Sequence, residues 1–143
     1  MIVRSFRLSD YIAVTQLFED VLSEACFEET MEALSRQLSW DSELVLVAVE
    51  NEEIIGVMIG TIDNNKGYYY RIAVAREHRG KGVAKALIQA LRQRFLQRRV
   101  SKILITVDAH NEVVLPFYRS LGYRPNDFDH AAHRLKIVSG TAS

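Results

Sequence analysis

The sequence predicts an α+β fold: a mixed, mostly antiparallel β-sheet with a central parallel β–helix–β crossover, flanked by about four helices. Three observations predict it. Two dense β runs, 43–50 (ELVLVAVE) and 54–62, are separated only by the turn residues Asn51, Glu52 and Glu53, which makes an antiparallel hairpin. A third run, 68–75, follows across a second turn of the same chemistry, Asp63 to Gly67. The strongest helical pattern of the chain then links that run to a later one at 102–107, and a β–helix–β connection demands a parallel pair.

Each element has its own signal. Residues 2–7 alternate Ile2, Arg4, Phe6 against Val3, Ser5, Arg7 and predict a strand. Ser9 or Asp10 can cap a helix whose apolar positions, Tyr11, Val14, Leu17, Phe18, Val21, Leu22 and Ala25, follow a 3.6-residue period. A second, shorter helix is expected over 29–38, with Met31, Leu34 and Leu38 on one side. The helix at 83–98 carries Val83, Leu87, Leu91 and Phe95 at i, i+4 spacing. A short helix over 113–121 is stopped by Gly122. A further strand is possible at 123–126, and a last one is expected at 134–138. One domain over 1–138 and a disordered tail over 139–143 complete the reading.

Composition excludes several classes. A chain of 143 residues with 48% apolar and 25% charged residues can bury its own core without a disulfide or metal staple. No apolar run approaches the ~18 residues of a membrane span. The start reads as a strand and a turn, so no leader is expected. The single cysteine, Cys26, allows no intrachain disulfide and suits a cytoplasmic setting. No metal is expected, since His78 and His110 lack companion ligands.

The formal net charge of zero hides an asymmetry. Residues 1–53 carry twelve acids and three bases, and residues 54–143 six acids and fifteen bases, so the halves stand at −9 and +9. Bases crowd between Arg71 and Arg99, a pattern that suits a compact polyanion. Nucleic acid is not expected as partner, because these bases fall on an amphipathic helix with no interleaved aromatics and no helix-turn-helix pattern.

The chemistry centres on Arg79-Gly80-Lys81-Gly82-Val83-Ala84, between a strand and a helix start. Glycines at 80 and 82 let the backbone approach a ligand closely. The first N–H groups of the helix have no internal partner and point at an anion, with the helix dipole behind them. A dinucleotide fingerprint would need a third glycine where Lys85 stands, and a P-loop would need Ser or Thr after Lys81, where Gly82 stands.

Those residues resemble the acetyl-CoA signature of the GNAT superfamily of N-acetyltransferases, Arg/Gln-x-x-Gly-x-Gly/Ala. A second segment, Asn111 followed by Tyr118-Arg119-Ser120-Leu121-Gly122-Tyr123, resembles that family's Asn, then Tyr-x-x-x-Gly-Phe/Tyr. The two stand one helix and one strand apart, as in the family, and the resemblance covers nearly the whole chain, most closely the small single-domain bacterial members. It implies acetyl-CoA as co-substrate. Backbone groups of Ile72, Ala73 and Val74 would pair with the pantetheine arm. The N–H groups of Arg79 to Ala84 would hold the pyrophosphate. Asn111 would hydrogen-bond the pantetheine or shape its channel, or instead cap the following helix. Tyr118 would give a proton to the leaving thiolate, and the N–H of Val74 would face the developing oxyanion.

The acceptor is expected to be a small-molecule or peptide amine, cationic before deprotonation, with the acidic half of the chain partly facing it. Glu28, Glu29 and Glu32 are candidates to line that side, and Trp40 to wall it; the general base is left unassigned. Two features depart from the family. Pro116 falls inside the second motif's helix and is expected in its first turn. Thr106 stands where the branch that acetylates ribosomal-protein N-termini carries a Glu base. Rival readings are a non-catalytic acetyl-CoA sensor on the same fold, a protein N-terminal or lysine acetyltransferase, and acyl transfer to a hydroxyl. A monomer or homodimer is expected.

Overall fold

The computed structural model describes residues 1–130, so the strand expected at 134–138 and the tail lie outside the described residues. In chain order the elements are β1 (Ile2–Ser5), α1 (Tyr11–Val21), α2 (Glu24–Trp40), β2 (Val45–Glu50), β3 (Glu53–Asp63), β4 (Lys66–Val74), α3 (Val83–Gln97), β5 (Lys102–Thr106), α4 (Leu115–Ser120) and β6 (Phe128–Asp129). One sheet holds all six strands in the order β1-β2-β3-β4-β5-β6. Pairing is antiparallel from β1 to β4 and parallel for β4–β5 and β5–β6. The α+β class and the parallel crossover are therefore as the sequence predicts.

Both sheet faces are covered, which is why β2 reads as an unbroken apolar run. Leu46 and Ala48 join Met58, Tyr69, Leu87, Leu91, Phe95, Ile105 and Tyr118 in one core, under α3 and α4. Val45 and Val47 join Phe18, Leu34, Val57, Ile59, Tyr70 and Ala73 in the other, under α1 and α2. Phe95 is fully buried in the first core and closely packed: a Cβ placed on Gly67 would come within 2.8 Å of its ring, and one on Gly60 within 3.0 Å. Gly67, expected in the turn, is thus a strand residue kept small for packing. Phe95→Ala is expected to destabilise the chain by ~3–5 kcal/mol, read as a lowered urea midpoint at unchanged slope; a midpoint shift worth under ~1 kcal/mol would show that Leu91 and Tyr69 collapse into the space.

Several boundaries differ from expectation for local reasons. The first helix ends at Val21, four residues early, because Ser23 caps a second helix: its Oγ accepts from the Cys26 N–H at 3.2 Å. The apolar period runs through this break, so periodicity misses it and the serine marks it. Asp10 precedes α1 but does not cap it with its side chain. It accepts instead from Arg4 at 2.8 and 3.0 Å and from the Arg7 N–H at 2.7 Å, which holds its carboxyl below the usual carboxylate range. Asn51-Glu52 and Asn64-Asn65 form two-residue turns with positive φ throughout, so β3 and β4 reach further than the runs suggest. Residues 125–127 form a 3-10 turn at Pro125, and the strand expected at 123–126 falls instead at Phe128–Asp129. Pro116 does lie in the first turn of α4, after a 3-10 turn at Glu112–Val114.

Candidate active site

A single bulge organises the site. In the β3–β4 ladder Ile59 faces Arg71 and Gly60 faces Tyr69, so Tyr70 is the extra residue. A bulge interrupts the alternation of side chains. Tyr69 and Ile72 point into the α3 core, Tyr70 and Ala73 into the α1–α2 core, and Arg71 turns with Tyr70 to meet Thr30 of α2 at 3.0 Å. Beyond the bulge β4 also leaves β5: their parallel pairing stops at Tyr69 and Ile105.

The parted edge of β4 is not uniform. Ala75 donates to the Ile55 carbonyl at 2.9 Å, which makes that pair the hydrogen-bonded kind. Counting back along the ladder, Ala73 and Val57 form the next such pair, while the N–H and C=O groups of Ile72 and Val74 face away from β3. Of the three residues expected to offer backbone groups, then, Ala73 has its own committed to β3. Arg79 donates from Nε to the Val74 carbonyl at 3.2 Å, from the open side.

The glycine loop follows. Gly80 (φ 78°) and Gly82 (φ 84°) are left-handed, and a Cβ on either would meet nothing within 4 Å, so it is conformation and not space that requires glycine. Gly82 is the N-cap of α3, with no side-chain cap. The N–H groups of Val83, Ala84 and Lys85 are left for a ligand or water. Gly56 lets Val83 and Leu87 press on β3, since a Cβ there would lie 2.8 Å from Val83 Cγ1. That contact seats the start of α3 beside the parted edge.

Between these parts lies a cleft of about 670 Å³, lined by Ile72, Ala73 and Val74, by Arg79, Gly80, Gly82, Val83, Ala84 and Lys85, by Val21 and Leu22 of the α1–α2 turn, and by Arg71, His110, Asn111, Val113, Val114 and Phe117. Its volume is that of a small-molecule site. Lys81 stands in the exposed turn beside it.

Asn111 is the wedge that keeps β4 and β5 apart. It is 5% exposed. Its Nδ2 donates to the carbonyls of Tyr70 and Thr106, one on each strand, both at 2.8 Å, and its Oδ1 accepts from Arg71 at 2.6 Å. Both donors are used across the two strands, and the side chain does not cap the following helix. Arg71, 2% exposed, also reaches Tyr70 Oη at 3.3 Å, Asp108 at 3.4 Å and Glu29 at 3.4 Å. Burial opposes its charge, but Tyr70 and Asp108 outweigh that and hold its pKa above the ordinary value.

Tyr118 is 2% exposed and stacks on Tyr69 with centroids 6.0 Å apart and planes 8° apart; Tyr123 meets both edge-on. The Tyr123 hydroxyl donates to that of Tyr69 at 3.0 Å. Burial, then the neighbouring Tyr123, push the Tyr118 pKa upward against the pull of Arg71. A phenol held protonated across the neutral range can donate a proton but cannot serve as a base.

The acidic half of the chain does not gather here. Glu29 alone of the expected acids reaches the cluster, by Arg71 and by His110, whose Nε2 lies 3.4 Å from its Oε2. Glu32 pairs with Arg36 on an exposed helix face, and Glu28 is exposed. Trp40, 37% exposed, closes α2 eleven residues after Glu29, ~16 Å along the helix axis, and does not line the cleft. Asp41 and Glu43 pair with Arg98, and Glu50 lies 3.6 Å from His78. Arg71, Tyr70, Asp108 and His110 are the site residues that sequence reasoning missed. Among the described residues no cluster of three or more His, Cys, Asp or Glu could hold a metal ion, and no helix is long and apolar enough to cross a membrane.

Comparison with known proteins agrees with this fold. The model of the Acetyltransferase (GNAT) family matches residues 12–123. An aminoglycoside 6'-N-acetyltransferase from Acinetobacter haemolyticus is similar in fold, at TM-score 0.71 and 17% identity over 95% of this chain and 98% of that one. So is the PaiA N-acetyltransferase from Thermoplasma acidophilum, solved with coenzyme A, at TM-score 0.69 and 19% identity over 90% and 92%. A ribosomal-protein-alanine N-acetyltransferase from Brucella melitensis gives TM-score 0.68 and 19% identity over 87% and 85%.

Proposed function

The chain belongs to the GNAT family of acetyl-CoA-dependent N-acetyltransferases, and we propose from that premise that it acetylates a primary amine by direct attack in a ternary complex. The observation that carries this reading is one cleft that joins the open edge of β4, the glycine loop at the start of α3 and Phe117 of α4, the chain neighbour of the buried Tyr118, which itself does not line the cleft.

The residues fit the co-substrate. Pantetheine carries amides, and the N–H and C=O groups of Ile72 and the N–H of Val74, which face away from β3, can satisfy them as a neighbouring strand would, while the Val74 carbonyl accepts from Arg79. The N–H groups from Arg79 to Ala84, with Arg79 and Lys81, suit a pyrophosphate. Acetyl-CoA supplies the activated acyl group. The Val74 N–H stabilises negative charge on the carbonyl oxygen, Asn111 holds the channel open, and the Tyr118 hydroxyl gives its proton to the departing sulfur. Val113, 85% exposed, and Phe117, 37% exposed, stand on the rim and cover the arm from the α4 side.

The acceptor is a small-molecule or peptide amine. With Glu29 and Asp108 both bound to Arg71, the site offers modest negative charge, enough for one ammonium and too little for a polycation. The test is thiol release from acetyl-CoA with cationic, neutral and anionic amines. Monocationic amines are expected to react fastest, with an acceptor KM that rises as salt screens a Debye length of ~10 Å at 0.1 M. Preference for an anionic amine would overturn the acceptor class while leaving acetyl transfer in place. Binding of acetyl-CoA with no thiol release for any amine would favour a non-catalytic sensor.

A further inference from the structure

The attacking nitrogen reaches the site as an ammonium and must first lose a proton. Five ionisable groups converge where it would enter: Glu29 from α2, Tyr70 and Arg71 from β4, and Asp108 and His110 from the loop between β5 and α4. Four are ill suited to accept that proton. Arg71 is permanently charged. Burial pushes the Tyr70 phenol up, so it stays protonated. Asp108 Oδ1 accepts from the backbone N–H groups of His110 and Asn111 at 2.8 and 3.0 Å and from Arg71. Glu29 Oε2 lies between Arg71 and His110, 3.4 Å from each.

His110 differs. It lines the cleft next to Asn111, and its side chain is 27% exposed. Its backbone is tethered by Asp108, and its Nε2 is turned to the Glu29 carboxylate. A carboxylate at one ring nitrogen favours the tautomer with the proton there, which leaves the lone pair on Nδ1. The other cleft histidine, His78, sits next to Arg79 at the glycine-loop end, with its Nδ1 towards Glu50.

The geometry points to His110 as the base that deprotonates the acceptor amine, oriented by Glu29, which Arg71 holds in place; this rests on the acetyl-transfer reading above. Two protons leave the nitrogen. The first passes from the ammonium to His110 Nδ1 before attack, and from there to solvent. The nitrogen lone pair then forms the C–N bond as the C–S bond breaks. The sulfur takes its proton from Tyr118, which regains one from the acylated nitrogen. The sum is one amide, one thiol and one released proton.

The experiment compares wild type, H110Q and E29Q over pH 5.5–9.5, with acetyl-CoA affinity measured by calorimetry on each. H110Q is expected to lose about 10²-fold in kcat/KM at neutral pH, with acetyl-CoA affinity unchanged and the acid limb of the profile gone. E29Q is expected to lower kcat with acceptor KM and acetyl-CoA affinity little changed, since the imidazole loses the carboxylate that sets its tautomer. A merely structural pair would lower folding stability or acetyl-CoA affinity and leave kcat at saturation near wild type. An H110Q profile that keeps the wild-type limb, or an E29Q kcat equal to wild type, overturns the assignment; E29Q decides alone should H110Q fail to fold. Wild type that binds acetyl-CoA yet acetylates no amine overturns the function reading itself, and the base with it.

Discussion

Tyr118→Phe is expected to lower turnover about 10²–10⁴-fold, the usual contribution of a positioned acid, while acetyl-CoA binding stays nearly intact. The substitution isolates the hydroxyl. Phenylalanine keeps the ring that stacks on Tyr69 and meets Tyr123 edge-on, so the α4 core is preserved. Tyr69 and Tyr123 bond to each other through their hydroxyls and need nothing from Tyr118. The direction of its pKa shift fits the role. Burial raises it above the ordinary phenol value of ~10, so the proton is available throughout the neutral range. It is handed over as the C–S bond breaks and charge develops on the sulfur, and the phenol regains a proton from the acylated nitrogen. Stopped-flow or steady-state turnover with saturating acetyl-CoA, alongside calorimetry, separates the two quantities. Wild-type turnover in the mutant would show that solvent protonates the thiolate and that Tyr118 serves only packing.

Much of this arrangement is legible in the residues. The hairpin turns, the crossover helix and the glycine loop are local, and each has a backbone reason that a sequence displays: positive φ at asparagine and glycine, a 3.6 period, orphan N–H groups at a helix start. What the residues do not display is the change of phase at Tyr70. Strict alternation puts Arg71 on the face of Tyr69, in the α3 core. One extra residue in the β3–β4 ladder turns it to α2, where Thr30 and Glu29 receive it. Nothing in the run YYYRIAV marks which tyrosine is the bulge. The same gap hides His110, because its partner Glu29 is on a helix far earlier in the chain, and only the packing of α2 on the sheet brings the two together. Asn111 was legible as a residue but not in its bonding, since both strands it joins had to be placed first. Trp40 fails for a simpler reason: α2 continues past the expected end and carries it away from the cleft.

Gly82→Glu is expected to abolish acetyl-CoA binding, through two effects that add. The first is conformational: Gly82 has φ 84°, and a residue with a Cβ costs ~1–2 kcal/mol in the left-handed region. The second is electrostatic. The N–H groups of α3's first turn face the same space as the new carboxylate, which would both occupy that anion site and repel a pyrophosphate, and like charges at an interface cost several kcal/mol. Together these weaken binding by at least ~10³-fold at ~1.4 kcal/mol per decade. Gly82→Ala separates them: it keeps the strain and adds no charge, and because a Cβ there meets nothing within 4 Å it should cost only ~10-fold. Calorimetry on the three proteins reads both steps, with thermal unfolding as the control that α3 remains seated on Gly56. Unchanged affinity in Gly82→Glu would remove the glycine loop from the binding site, and with it the reason for reading the open edge of β4 as the path of the pantetheine arm.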